Sequence, residues 1–311
     1  MKDISIIVPS YNEAESLPHL AEWVDRVMKE HSFTYEVIIV DDGSTDGTWQ
    51  VTEQLHAANP AWRGIKFRRN YGKSAALNTG FAAAEGDVVV TMDADLQDSP
   101  DEVPELYRMI KEDGYDLVSG WKKKRYDSKL AKNIPSKLFN WTTRRMSGIH
   151  LHDFNCGLKA YRHDVVKSIE VYGEMHRYIP VIAKWAGFSK IGEKVVQHRK
   201  REFGVTKFGM NRFINGYLDL MSIMFMSKFG KQPMHFFGAI GSASFLMGFV
   251  ALVVVLILKL AGRMALTNSV WFYLAMFFTL IGLVLFLAGF IGELVCRNSS
   301  TRNQYLIEKE L

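Results

Sequence analysis

A chain of 311 residues carries 38 lysines and arginines against 33 acidic residues, a formal net charge of +5 and a pI near 9.0. That balance suits nucleic acid, an anionic membrane or phosphorylated substrates without choosing among them. Its two cysteines, Cys156 and Cys296, exclude a disulfide framework, and the first apolar run is strand length, too short for a cleavable signal peptide, so the amino-terminal part is expected in a reducing cytoplasm. The length allows two domains, or one large domain with an appendage.

Ile4-Ser5-Ile6-Ile7-Val8 reads as a buried strand ended by Pro9, which cannot donate a ladder hydrogen bond. Residues 10–13 form a loop. Leu17, Leu20, Trp23, Val24 and Val27 then keep helical spacing over 16–29. Residues 35–40 are a second strand, closed by Asp41-Asp42-Gly43-Ser44-Thr45-Asp46-Gly47-Thr48, whose glycines and capping side chains turn the chain into a helix near 49–58. A third strand is predicted at 64–67 and a third helix at 74–84. This alternation argues a mostly parallel sheet covered by helices on both faces. Asp41 and Asp42, just past a strand, can accept hydrogen bonds from a ribose or a base, with the flat face of Tyr11 beside them; the same residues also serve as plain turn chemistry. Gly43 and Gly47 lack the spacing of a dinucleotide or P-loop phosphate cradle, which disfavours a nicotinamide enzyme.

The run Val88-Val89-Val90-Thr91-Met92 ends in Asp93-Ala94-Asp95-Leu96-Gln97. Strand alternation alone would send the two carboxylates to opposite faces, so the chain is expected to bend at Asp93. At the carboxyl edge of a parallel strand, that bend lets hard oxygen donors converge on Mg²⁺ or Mn²⁺; the plainer alternative is an acidic turn that stops a strand. A helix at 101–112 and a strand at 115–120 lead to Trp121-Lys122-Lys123-Lys124-Arg125-Tyr126, which gathers four cations either as a solvated face or for a phosphate. Residues 153–161 form a loop-to-strand segment. Arg199-Lys200-Arg201 and Lys207 flank Gly204, a hinge able to close cations over an anion.

Residues 236–258 and 270–292 contain no charged side chain, and each run exceeds the about 18 residues that mark a transmembrane helix. Only 261–269 joins them, so they form a hairpin. Lys207, Arg212, Lys228 and Lys231 precede it and Arg297 and Arg302 follow it, against Arg263 alone in the connection, which places both ends in the cytoplasm. Between 208 and 229 the apolar residues are interrupted by Asn211, Arg212, Asn215 and Asp219, the mixture of helices lying in the interface plane.

Val-Pro-Ser-Tyr-Asn-Glu at 8–13, Val-Asp-Asp-Gly-Ser-Thr-Asp-Gly-Thr at 40–48, Asn-Tyr-Gly-Lys-Ser-Ala-Ala-Leu-Asn-Thr-Gly-Phe at 70–81 and Asp-Ala-Asp-Leu-Gln at 93–97 together resemble the family 2 inverting glycosyltransferases. The segment 153–161, the pattern Arg201-x-x-Gly204-x-x-Lys207-Phe208 and the hairpin resemble the polyprenyl-phosphate glycosyltransferases within that family, such as dolichol-phosphate mannose synthases and bactoprenol glucosyltransferases. The resemblance spans essentially the whole chain. It implies an α/β nucleotide-sugar fold of GT-A type, with a mostly parallel sheet flanked by helices, at 1–207. Interfacial helices at 208–233, a transmembrane hairpin at 234–297 with spans of about 235–260 and 270–295, and a cytoplasmic tail at 298–311 follow.

By the same resemblance, Pro9, Tyr11, Glu13, Val40 and Asp42 surround the nucleotide, and Lys73 and Ala94 complete the donor site. Asp93, Asp95 and Gln97 hold Mg²⁺ or Mn²⁺ and its pyrophosphate. Lys122 and Arg125 lie toward the acceptor phosphate, and Arg201 and Lys207 on phosphates. Asp153, Asp95 and Arg201 are the implied catalytic residues. Where many members carry arginine after the strand, this chain has Trp121-Lys122, and lysine supplies charge without the planar two-pronged donor. The Gln-x-x-Arg-Trp motif of processive synthases is absent, so transfer of a single sugar from a UDP- or GDP-linked donor to a polyprenyl phosphate in the bacterial inner membrane is expected. A lipid phosphate is already largely ionised near neutral pH, so Asp153 is expected to orient the acceptor more than to take a proton. A transferase acting on a lipid hydroxyl, which would need Asp153 as a base, and an inert nucleotide-sugar-binding scaffold are the alternatives. The partners implied are the nucleotide sugar, the lipid acceptor and the bilayer, with room for a homo-oligomer and no part for nucleic acid.

Overall fold

A computed structural model of the chain describes residues 2–123, 140, 141, 143–145, 147–173, 175–199, 225, 233–263, 265, 266 and 269–297. The chain divides into two compact units, Met1–Met221 and Ser222–Leu311.

Among the described residues, the first unit is built on a seven-stranded sheet of β1 (Lys2–Ser10), β2 (Tyr35–Asp41), β3 (Trp62–Lys66), β4 (Gly86–Thr91), β5 (Leu117–Trp121), β6 (Lys159–Arg162) and β7 (Ile191–Val195), in the order β3-β2-β1-β4-β6-β5-β7. Every neighbouring pair is parallel except those of β6, which runs antiparallel to both β4 and β5. The reason the central strands read as near-continuous apolar runs is that both of their faces are covered. On one face Ile4, Ile6, Val8, Val37, Ile39, Val88 and Val90 pack with Leu17, Leu20, Val24 and Val27 of α1 (Leu17–Glu30) and with Val103, Leu106 and Ile110 of α4 (Val103–Lys111). On the other face α3 (Lys73–Ala83) comes so close that a Cβ on Gly80 would lie 2.4 Å from Ile7 Cγ2. Further helices of this unit include α2 (Thr48–Ala58), α5 (His163–Ser168) and α6 (Ile179–Trp185).

Three local expectations are corrected. Pro9 does not end β1, which continues through Ser10. The Met92 N–H donates to Ile7 O, and pairing with β4 stops at Ile7 opposite Thr91, so the missing N–H of Pro9, two residues on and on the same side, has no partner to lose. The third strand starts at Trp62 rather than 64, and the helix expected at 101–112 begins as a 3₁₀ turn, Pro100–Glu102. The antiparallel run of β6 matters most for position. Thr91, the end of β4, pairs with Lys159, the start of β6, so the loop before β6 meets the loops after β4 and β5 at one edge of the sheet.

In the second unit α7 (Pro233–Leu260) and α8 (Val270–Arg297) are each long and apolar enough to cross a membrane, with a mean hydropathy of 2.6 and only 11% and 17% of their most apolar windows buried. Core helices of that composition would be covered, and these are not. They pack on each other through glycines. A Cβ on Gly241 would lie 2.6 Å from Phe286 N, one on Gly248 2.5 Å from Thr279 N, and one on Gly282 2.4 Å from Phe245 N, the small-residue contact that lets helix backbones approach in lipid. The interfacial helices expected at 208–233 lie outside the described residues apart from Phe225 and Pro233, as does the tail at 298–311.

Candidate active site

Asp93 follows β4, and the backbone turns beyond it at Leu96, which adopts a left-handed φ of 60°. Lys73 Nζ, at the first position of α3, pairs with Asp93 Oδ1. A Cβ on Gly157 would lie 2.6 Å from Asp93 Oδ2, so the carboxylate occupies space that only a glycine leaves open. Burial alone would raise the Asp93 pKa, but the attraction of Lys73, Lys122 and Lys159 outweighs it and holds the carboxyl down at about 2. Asp95 is 8% exposed and its Oδ1 accepts the Gln97 N–H at 3.2 Å. The donors of Asp93, Asp95 and Gln97 are hard oxygens, and no group of three or more His, Cys, Asp or Glu forms a metal cage among the described residues. Such a set fits Mg²⁺ or Mn²⁺ held by one or two carboxylates and completed by substrate phosphates.

Lys122 Nζ sits 2.7 Å from Asp98 Oδ1, with the two side chains 12% and 0% exposed. Burial disfavours its charge, yet Asp98 first, then Cys156 and Asp93, raise its pKa above that of an ordinary lysine. Lys122 therefore neutralises Asp98 and is not a free cation waiting for an acceptor. The segment after β7 returns over the same loop: the Arg199 N–H donates to Gln97 O at 3.0 Å and Asp98 bridges to His198. Asp153 is 2% exposed, and its Oδ1 accepts the Asn155 N–H at 3.1 Å.

The loop after β1 is stitched to the loop after β2. Asn12, at a φ of 57°, receives on its Oδ1 the Thr45 N–H at 2.9 Å and gives its own N–H to Ser44 Oγ at 2.9 Å. Glu13 N–H donates to Thr48 Oγ1 at 2.9 Å, and Glu13 Oε2 accepts from Ser16 Oγ at 3.0 Å. The Asp42 N–H donates to Ser10 O at 2.8 Å, so the loop that carries Tyr11 and Glu13 starts beside Asp42. The Asp42 carboxylate accepts the N–H groups of Tyr71 at 2.7 Å and Gly72 at 2.9 Å, so it anchors the turn that delivers Lys73. Val40 and Ala94 are 0% and 3% exposed, so neither offers a side chain to a ligand. Arg125, Arg201 and Lys207 lie outside the described residues.

A cavity beside Asp93 is lined by Pro9, Lys73, Gly157, Lys159, His176 and Arg177, among others, whereas Tyr11, Glu13, Asp42, Asp95, Gln97 and Asp153 do not line it. Lys159, His176 and Arg177 were not singled out from the sequence. Lys159 is buried and donates to Cys156 O, and burial lowers its pKa. Burial, then the charges of Lys73, Arg177 and Lys159, push the His176 imidazole well below its usual range, so it is neutral near pH 7; its Nδ1 lies 3.1 Å from Ser74 Oγ. Met175-His176-Arg177 shows no spacing that marks a site.

Residues 5–170 match the model of the family described as glycosyl transferase family 2. The chain belongs to glycosyltransferase family 2. Over 241 residues, 77% of its length and 71% of the relative's, this glycosyltransferase is 39% identical to the dodecaprenyl-phosphate galacturonate synthase of Rhizobium johnstonii. Over 299 residues it is 33% identical to the undecaprenyl-phosphate 4-deoxy-4-formamido-L-arabinose transferase of Aeromonas hydrophila, covering 96% of this chain and 89% of that one. Among solved structures, mannosyl-3-phosphoglycerate synthase from Rubrobacter xylanophilus superimposes with a TM-score of 0.58 at 15% identity, covering 73% of this glycosyltransferase and 75% of that chain. Glucosyl-3-phosphoglycerate synthase from Mycobacterium tuberculosis, in complex with Mn²⁺, UDP-glucose and glycerol 3-phosphate, does so with a TM-score of 0.54 at 18% identity, covering 73% and 80%. At these identities the likeness is one of fold, and it is the nucleotide-sugar fold that the four amino-terminal motifs implied.

Proposed function

We propose that this glycosyltransferase moves one sugar, with inversion, from a UDP- or GDP-linked donor to the phosphate of a polyprenyl phosphate in the bacterial inner membrane. The observation that carries this reading is the extent of the likeness to the Aeromonas relative, which is named for an undecaprenyl-phosphate acceptor and matches 96% of this chain, hairpin included. A water-soluble acceptor would give the hairpin no use. The excess of Lys and Arg on both flanks of the hairpin supports a catalytic unit and both termini on the cytoplasmic side.

In this reading Pro9, Tyr11, Glu13 and Asp42 form the nucleotide pocket, with Asp42 acting through the Tyr71–Gly72 turn. Asp93, Asp95 and Gln97 hold Mg²⁺ or Mn²⁺, which when bound offsets the charge of the diphosphate leaving group. Lys73 and Arg177 add positive charge around the cavity that Asp93 lines, where it stabilises the transition state without reorganisation. An oxygen of the acceptor phosphate attacks the anomeric carbon from the face opposite the nucleotide as the bond to the diphosphate oxygen breaks. That oxygen is already ionised, so Asp153 orients the acceptor, and Arg125, Arg201 and Lys207 hold phosphates.

The test is mass spectrometry of lipid extracts after incubating the full-length enzyme in membranes with undecaprenyl phosphate and a panel of nucleotide sugars. A polyprenyl-phosphate sugar cleaved by mild acid is expected, and Asp95→Asn is expected to lower its formation roughly 10²-fold or more. An acid-stable glycolipid would assign a hydroxyl acceptor instead, and no lipid product from any donor would remove the transferase reading.

A further inference from the structure

We propose that Glu193 is a positioning residue of the acceptor side, fixing the peptide from which Asp153 projects; this rests on the acceptor-side role given to Asp153 above. Glu193 lies on β7, directly across from Ser119 of β5 in the parallel ladder, so the two side chains leave the sheet on the same face. Glu193 Oε1 accepts the N–H of His152 at 2.7 Å and the N–H of Asp153 at 3.2 Å. Its Oε2 pairs with His152 Nδ1 at 2.7 Å. From the neighbouring strand, Ser119 Oγ donates to Asp153 O at 3.4 Å. The His152 ring stacks on Trp121 with centroids 4.1 Å apart and planes 12° from parallel, and Trp121 closes the same strand as Ser119. Residues 152 and 153 are therefore tied at both peptide ends and at one side chain to two adjacent strands.

What marks this as more than strand stability is where the bonds go. β7 is already held to β5 by its own ladder from Ile191 to Val195, and the Glu193 carboxylate, 13% exposed, contributes no main-chain rung. Its two oxygens make three contacts, all with the loop that carries Asp153. A carboxylate that accepts two N–H groups from successive residues defines the direction of the peptide between them, and so the direction in which Asp153 leaves the backbone. Glu193 acts through Asp153 and needs no contact with substrate.

The experiment uses the full-length enzyme, with kcat and KM measured separately for nucleotide sugar and undecaprenyl phosphate. Glu193→Ala is expected to lower kcat by roughly 10- to 100-fold, the scale of a misplacement near 1 Å, with the KM for nucleotide sugar within about threefold. Glu193→Gln keeps an oxygen for the two N–H bonds and is expected to recover most of the loss. Asp153→Ala is expected to be severely impaired, and adding Glu193→Ala to it should cost little more, because both changes remove one function. Turnover of Glu193→Ala within about threefold of the parent, while Asp153→Ala is inactive, overturns the positioning role. Near-parent turnover of Asp153→Ala itself would instead remove the reading on which the proposal stands. If Glu193→Ala fails to fold, Ser119→Ala supplies the readout: a severalfold fall in kcat at unchanged nucleotide KM is expected, and no fall overturns the proposal.

Discussion

Asp93 and Lys73 show how a single charge sets what a carboxylate can do. Desolvation pushes the Asp93 pKa up, and Lys73, the nearest cation, leads the group that brings it down to about 2. A carboxyl with so depressed a pKa is anionic throughout the physiological range and is protonated only in strong acid. Lys73→Gln removes the leading cation while Lys122 and Lys159 remain, so the pKa is expected to rise, by roughly one unit or more for loss of an adjacent opposite charge. The acid limb of the pH profile of kcat/KM should then move to higher pH by a similar amount, together with a lower plateau; profiles of parent and variant that differ only in plateau height would refute the coupling. Residue type and strand-end position made Asp93 and Asp95 legible in the sequence. What was not legible was their company. Gly157 and Lys159 approach Asp93 from more than 60 positions along the chain, and Asp42, which as a sequence looks free for a ribose, is occupied by the N–H groups of Tyr71 and Gly72.

At the scale of elements, β1, β2 and β4 could be read because burial on both faces writes an unbroken apolar run, and α1 because its apolar positions keep one face. Direction is not written in periodicity, so nothing in residues 153–161 announced that β6 inserts antiparallel between β4 and β5. That insertion is what brings Asp153 and Gly157 to the edge that holds Asp93. The opposite end of the sheet is fastened by a different device. Glu36 of β2, its side chain 0% exposed, accepts from Ser5 Oγ at 2.6 Å, Lys2 Nζ at 2.9 Å, Arg63 Nη1 at 2.6 Å and the Glu85 N–H at 2.8 Å. It thus ties β1 and β3 to the residue before β4. Burial opposes its ionisation, and these donors prevail and bring its pKa from 4.5 to about 2. Because the folded-state value is the lower one, the stabilisation is present above the unfolded pKa and is lost as pH falls from about 4.5 toward 2. Glu36→Gln is expected to destabilise the enzyme by roughly 2–3 kcal/mol at pH 7. The gap in thermal midpoint from the parent should close as the pH approaches 2 to 3, and a gap that stayed constant with pH would show that the charge of Glu36 is not what holds this end.

At the scale of the whole molecule, chemistry and membrane attachment are written in separate stretches of chain. The unit Met1–Met221 has its own sheet and its own apolar core, whereas Ser222–Leu311 contains the two long apolar helices, which among its described residues pack on each other. A domain with its own core folds without its neighbour, so a chain ending at Met221 is expected to bind UDP- or GDP-sugar with a Kd within about threefold of the full enzyme, as measured by calorimetry. On the proposed reading the acceptor lives in a bilayer, and tethering a catalytic unit to that surface replaces three-dimensional search by an effective concentration in the millimolar range for short tethers. Removing the tether should therefore lower transfer to undecaprenyl phosphate in vesicles by roughly 10²-fold or more. The same truncated chain should lose much less against a short-chain polyprenyl phosphate dispersed in detergent, where no surface needs to be found. Equal losses on both acceptors would mean that the second unit contributes to the chemistry itself, and no loss in vesicles would leave the hairpin without a part in delivering the acceptor.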